Sequence, residues 1–162
     1  MSDVRDTEDL LALERQVCFA LAVASRNVIA VYRPLLEPMG LTHPQYLVML
    51  ALWGRSPLSV KELSGLLRLD PGTLSPLLKR LEAGGLIQRR RARDDERVMA
   101  VTLTDEGHAL RAEAERIPPA IVERLGMDLT ELQDLHGTLT RLIAAADRAN
   151  GVVGAADRAH QD

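Results

Sequence analysis

Two features of this 162-residue chain could carry chemistry: a single cysteine, Cys18, and a run of basic side chains between Lys79 and Arg97. A thiol becomes a nucleophile, and an oxidisable group, when it loses its proton and solvent reaches it. A lone cysteine excludes an intrachain disulfide and a four-thiolate zinc site. His43, His108, His136 and His160 show no ligand spacing, so neither metal nor other cofactor is expected. The basic run holds Lys79, Arg80, Arg89, Arg90, Arg91, Arg93 and Arg97 against Glu82, Asp94, Asp95 and Glu96, a local +3. The whole chain carries −3, which argues against indiscriminate nucleic-acid binding. A basic stripe on an acidic body is instead what a reader of double-stranded DNA needs. On the residues alone, Cys18 is either a small buried hydrophobe on an apolar helical stripe or a reactive thiol, with Arg15 the one cation near it in sequence.

These residues must be held by a single folded domain spanning 1–162, for the length suits one domain and not two. Apolar residues are 46% and charged residues 27% of the chain, the balance of a protein that buries a core. The only aromatics are Phe19, Tyr32, Tyr46 and Trp53, so that core is aliphatic, as in packed helices. No apolar run approaches the roughly 18 residues of a membrane span. The acidic N-terminus is no signal peptide, so a soluble cytoplasmic protein with no membrane partner is expected.

Apolar spacing predicts a long first helix from Glu8, capped by Thr7, through Leu10, Leu13, Val17, Leu21, Val28 and Val31, buried on several sides and ended by Pro34, Pro38 and Gly40. Thr42 with Gln45, and Ser59 with Glu62, are capping boxes; Leu41 with Tyr46, and Leu58 with Leu63, are the matching hydrophobic staples. Asp70 caps a further helix with Pro71 in its first turn, running through Leu74, Leu77, Leu78 and Leu81 to a left-handed stop at Gly84-Gly85. Leu86–Arg89 and Val98–Leu103 read as a hairpin with a charged tip at 90–97. Thr104 caps the next helix, Pro118-Pro119 interrupts it, and a last helix opens at Thr130 with Gln133, carrying the stripe Leu132, Leu135, Leu139, Leu142. Residues 151–162 read as a flexible tail.

Helix, short helix, tight turn, helix, double glycine and two-stranded hairpin form a winged helix-turn-helix over 42–103: a mainly α fold with a small β-hairpin. The tight turn at Leu69-Asp70 sets two helices at a steep angle. Thr73 and Ser75, beside Gly72, keep the leading end of the second helix slim enough for a major groove, and Lys79 and Arg80 lie further along it. Arg93 and Arg97 at the hairpin tip suit a minor groove or its phosphates.

At these residues the sequence resembles the MarR-type bacterial transcription regulators. The carrying segments are LDPGTLSPLLKRL (Leu69–Leu81), then GGLIQRRRARDDERVMAVTLTDEG, with DDER at the wing. VCFALAVASR (Val17–Arg26) and YRPLLEPMGLTHPQYLVMLALW (Tyr32–Trp53) are similar to one branch, the organic-hydroperoxide-sensing repressors of the OhrR type, in its one-cysteine form. The resemblance covers roughly 14–116. It implies that Cys18 is the redox sensor, attacking a peroxide oxygen to give a sulfenic acid. It also implies that tyrosines of one subunit hydrogen-bond the thiol of the other. Tyr32 matches one such tyrosine. His43 stands where the branch often has a second, and Ala22 where a third follows the cysteine. Spacing adds a constraint: Tyr32 lies fourteen residues past Cys18, the same helix face but about 21 Å away. It reaches a thiol only if two first helices cross antiparallel in a dimer.

The chain is therefore expected to be a homodimeric repressor and not an enzyme. Helices over 8–36 and 104–150 dimerise, an operator duplex is the partner, an organic hydroperoxide is the effector, and a low-molecular-weight thiol traps oxidised Cys18. Three alternatives stand beside it: a MarR-type regulator answering a small phenolic or other ligand with Cys18 inert, a thiol peroxidase using Cys18, and a winged helix serving only protein contacts.

Overall fold

The computed structural model describes residues 11–13 and 16–151. Thr7, Glu8, Leu10, Arg15, His160 and the 152–162 tail lie outside the described residues. The described chain falls into two compact units that divide between Pro118 and Pro119.

Helix α1 spans Val17–Leu36, so the first helix begins well after Glu8. Leu13 precedes it, accepting the Gln16 N–H in a turn (3.1 Å), and Gln16 is extended. Pro34 does not end α1. It sits in the last turn, and a 3-10 turn at Glu37–Met39 follows, closed by left-handed Gly40 (φ 69°). Contrary to the sequence expectation of burial on several sides, only Leu36 of α1 is buried, while Val17, Phe19, Leu21 and Ile29 are exposed. Val17–Met39 is also long and apolar enough, by length and composition, to cross a membrane, at mean hydropathy 1.2. Alanines and valines raise that average without an uninterrupted apolar run, since Ser25, Arg26 and Asn27 break it.

Helices α2 (His43–Gly54) and α3 (Val60–Leu67) begin at complete capping boxes, Thr42/Gln45 and Ser59/Glu62. The staple residues Leu41, Tyr46, Leu58 and Leu63 are all buried. Helix α4 spans Pro71–Ala83, capped by Asp70, whose carboxylate accepts from the Thr73 N–H (2.9 Å). Leu74, Leu77, Leu78 and Leu81 pack inward with Val48, Met49, Leu52 and Leu63 to form the core. Gly85 takes the left-handed conformation (φ 75°) that ends α4.

The hairpin is displaced slightly from its expected bounds: β2 is Ile87–Arg91 and β3 is Met99–Leu103, with the tip at 92–98. Pairing is antiparallel, Arg89 opposite Val101. An unexpected third strand, β1 (Leu58–Ser59), pairs on the other side of β3, giving the order β1-β3-β2. Two residues cannot display an alternation, and Ser59 is already committed as the cap of α3, so sequence pattern offers no trace of this strand.

Helix α5 (Asp105–Ala114) is capped by Thr104, as expected. The break after it falls at Glu115–Arg116. Pro118 and Pro119 open helix α6 (Ile117–Leu125) rather than interrupt one, because a proline in a first turn removes no intrahelical bond. The last helix, α7 (Leu129–Ala149), starts at Asp128 and not at Thr130. Asp128 and Glu131 form its capping box, with both bonds at 2.9 Å, and a carboxylate at the N-cap also meets the positive end of the helix. No residue of α7 is buried, and Leu129, Leu135, Leu142 and Ile143 are exposed.

Candidate nucleic-acid interface and thiol site

The outward side of α4 carries Thr73, Ser75, Lys79 and Arg80, all exposed. Thr73 has a second duty: its hydroxyl donates to Asp70 Oδ2 (2.9 Å), leaving it only acceptor capacity toward a ligand. The two Thr73 bonds hold the Asp70 carboxyl below its ordinary value, so the cap is charged and the helix start rigid. The turn before it is drawn tight by the Leu69 N–H donating to the Ser64 carbonyl (3.1 Å) and by left-handed Arg68 (φ 53°).

The seven basic residues of the run divide into two groups. Arg89 is spent inside the fold. Its guanidinium meets Glu82 Oε1 at 3.2 Å, and its N–H donates to Glu82 Oε2 (2.9 Å), tying the end of α4 to β2. Those bonds, the backbone one foremost, hold the Glu82 carboxyl below its usual range. Arg91 donates to the Glu96 carbonyl across the wing (2.6 Å). By contrast, the side chains of Lys79, Arg80, Arg90, Arg93 and Arg97 form no ion pair among the described residues. Asp95 does not neutralise Arg97: its carboxylate accepts the Arg97 backbone N–H (3.0 Å), shaping the tip and leaving the guanidinium outside. The sequence-chosen cations are thus the unspent ones, and Arg90, exposed on β2, belongs with them. Consecutive arginines look alike in sequence; only the pleat and the position of Glu82 separate Arg90 from Arg89.

Wing and helices join at Gly107, which sequence reading passed over. Its carbonyl accepts the Trp53 Nε1–H (2.9 Å), and its N–H donates to the Thr104 hydroxyl (3.0 Å). That hydroxyl donates to the Gly85 carbonyl (2.6 Å). A Cβ on Gly107 would stand 2.1 Å from the Leu86 carbonyl oxygen, so only glycine fits.

Cys18 is exposed near the start of α1, and none of the hydrogen bonds among the described residues involves its thiol. Exposure sets aside the small-hydrophobe reading for the single chain. Tyr32 lies four turns along the same face, about 21 Å away at 1.5 Å per residue, too far to touch Cys18 of its own chain. Tyr32 and His43, on α1 and α2, are brought into edge-to-face contact with centroids 5.0 Å apart. Tyr46 completes the cluster at 6.0 Å from Tyr32 and 6.4 Å from His43, and Trp53 lies 6.5 Å beyond it. Tyr46, 4% exposed, is a core ring as well as a cluster member. Burial pushes the Tyr32 phenol up; burial and then the Tyr32 charge push the Tyr46 phenol up; burial pushes the His43 imidazole down. At neutral pH the cluster therefore presents protonated phenols and a neutral imidazole, hydrogen-bonding groups without charge. Beside it an open pocket of about 450 Å³ is lined by Ile29, Arg33, Glu37, Leu41, Thr42 and His43. Ala22, on the exposed surface of α1, adds no polar group.

Comparison with known proteins follows the same lines. Residues 30–113 match the family model described as transcriptional regulator SarA/Rot. The chain is 42% identical over 134 residues to the organic hydroperoxide resistance transcriptional regulator of Bacillus subtilis, covering 81% of this chain and 91% of that protein. A probable transcriptional regulator from Pseudomonas aeruginosa has a similar structure (TM-score 0.71, 30% identity, 80% of this chain and 98% of that one). So has the overoxidized AbfR of Staphylococcus epidermidis bound to DNA (TM-score 0.64, 36% identity, 80% and 94%).

Proposed function

The chain belongs to the MarR/SarA family of winged-helix transcription regulators, and on that premise we propose that it is a homodimeric repressor released from its operator when an organic hydroperoxide oxidises Cys18. DNA is the partner its relatives share, and they are regulators, not enzymes. The trigger, the dimer and the residue roles are the proposal.

The observation that carries it is the Tyr32–His43 contact, set on the Cys18 face of α1 but beyond reach of the chain's own thiol. Two α1 helices crossing antiparallel bring each Cys18 to the other subunit's Tyr32 and His43. The exposed apolar residues of α1, and those of α7 with its stripe Leu132, Leu135, Leu139 and Leu142, supply the surface for such a dimer. Each α4 enters a major groove with Ser75, Lys79 and Arg80. Arg93 and Arg97 take the flanking minor groove or its phosphates, with half-sites roughly 34–36 Å apart. A partner of that kind goes with a cytoplasmic protein, and its relatives, being transcription regulators, support this.

The Cys18 thiolate attacks the terminal peroxide oxygen, the O–O bond breaks, and the departing alkoxide takes a proton from solvent to leave as the alcohol, giving Cys18 sulfenic acid. A low-molecular-weight thiol then displaces water to form a mixed disulfide, since the chain has no second cysteine. Either adduct favours a dimer that no longer fits its site, a population shift needing a few kcal/mol of differential stability. The name of the Bacillus relative, and a solved structure of reduced AbfR bound to DNA, support this reading.

The test is Cys18→Ser. It should bind operator DNA with near wild-type affinity and no longer be released by an organic hydroperoxide. Release of the variant as readily as the parent would overturn the sensor. The second reading, a small phenolic effector in the pocket beside His43, has that 450 Å³ space in its favour. It predicts release of both proteins by the phenol and of neither by peroxide.

A further inference from the structure

The buried leucines of α4, Leu74, Leu77, Leu78 and Leu81, define one side of the helix. At 100° per residue, Gly72, Ser75, Pro76 and Lys79 lie opposite, and all four are exposed. Two of these are poor helix residues on the face that meets DNA. Pro76 lies inside α4, past the first turn. The N–H of residue 76 would bond the Gly72 carbonyl; proline has no N–H, and its ring crowds that oxygen. The Gly72 carbonyl therefore loses its intrahelical donor, on the outward side. No side-chain donor among the described residues replaces it. Gly72 is not in the left-handed region, where only Gly40, Gly85, Gly126 and Gly151 of the described glycines fall, so conformation does not call for glycine here. What glycine supplies is a bare backbone at the surface. An added Cβ would stand 3.1 Å from the capping Asp70 Oδ1 and project from that surface.

We propose that the Gly72 carbonyl, released by Pro76, is a main-chain reader of sequence: it accepts a hydrogen bond from the exocyclic amino group of cytosine or adenine at one position of each half-site. In the major groove those amino groups are donors, whereas guanine O6 and thymine O4 are acceptors that would face the carbonyl lone pair to lone pair. Neighbouring Ser75 and Lys79 are free to hold phosphates, which fix register without reading sequence. The inference rests on α4 lying in a major groove, as proposed above.

The experiment selects the bound site from random duplexes with the wild-type dimer. It then measures affinities of wild type, Pro76→Ala and Pro76→Val for that site with each base pair replaced in turn. Both variants restore the N–H and close the Gly72 carbonyl; valine also keeps apolar bulk. Replacing proline in a helix interior favours the helix, and melting curves confirm folding. Wild type should lose tenfold or more when one amino-bearing base near the start of α4 is replaced. Both variants should be indifferent at that position and unchanged elsewhere. Unchanged base profiles in both variants would overturn the proposal. So would loss in Pro76→Ala with retention in Pro76→Val, which would assign the reading to the apolar ring. Lys79→Ala binding with wild-type affinity and salt dependence would instead remove α4 from the groove, a failure of the docking and not of the carbonyl alone.

Discussion

The indole N–H of Trp53 donates to the carbonyl oxygen of Gly107 at 2.9 Å, across 54 residues of sequence. This bond joins α2 to the first turn of α5 at the point where the Leu86 carbonyl also packs. Gly107→Ala would drive a methyl group to 2.1 Å from that oxygen. It should destabilise the fold by about 1–3 kcal/mol or more, as overpacking does. Trp53→Phe, which removes the donor and keeps a ring, should cost about 1 kcal/mol. Urea denaturation of both variants checks this; a Gly107→Ala midpoint equal to wild type would mean the junction is looser than described.

Arg97→Ala should weaken operator binding by roughly 1–3 kcal/mol and reduce the salt slope by about one. Arg89→Ala should leave the salt slope alone, because that guanidinium is already paired with Glu82. Titrations at several salt concentrations separate the two, and equal slopes for the two variants would erase the division between spent and unspent cations.

Burial holds the His43 imidazole below its ordinary 6.5. Between its folded value and 6.5 the unfolded chain binds more protons, so stability falls as pH is lowered through that window. His43→Gln should remove that part of the slope. At the other end, Tyr32 and Tyr46 lie above 10.0 when folded, so their contribution is complete below pH 10 and is lost as pH rises past their folded values. Thermal melts across the pH range read both; a His43→Gln profile parallel to wild type just below pH 6.5 would contradict the burial of the ring.

Wild-type protein treated with a limited dose of organic hydroperoxide should regain DNA binding on reduction. Added small thiol should deepen the loss by forming the mixed disulfide, and excess peroxide without thiol should make it irreversible. Intact mass measured beside DNA binding follows each species. Complete release at the sulfenic acid, with no change on adding thiol, would show that no trapping step is needed.

Residues acting through nearest neighbours were legible in the sequence. Thr42/Gln45, Ser59/Glu62, Asp70 with Pro71, and Gly84-Gly85 each act in the structure as the sequence predicts, because a cap is settled within four residues. The errors have the opposite origin. Nothing local distinguishes Asp128 from Thr130 as the start of α7, two hydroxyl or carboxylate residues each followed three later by Glu or Gln. β1 exists only because β3 lies beside it. The exposure of α1 is not legible locally, because its apolar spacing describes a surface and not what covers it. At the thiol site Tyr32 and His43 are legible as candidates, but their contact depends on the turn at Gly40, which brings α2 against α1.

The Glu82–Arg89 pair fastens the end of α4 to the wing, and the Gly107 junction fastens the wing to α2 and α5. A body braced in this way can be carried from place to place but not bent. Calipers work on the same principle: the jaws keep their shape, and only the gap between them is adjusted. For the repressor proposed here, the oxidation state of Cys18 would be written in that gap. An isolated half-site should then be gripped equally by reduced and oxidised protein, and only a duplex bearing two half-sites at the correct interval could tell them apart.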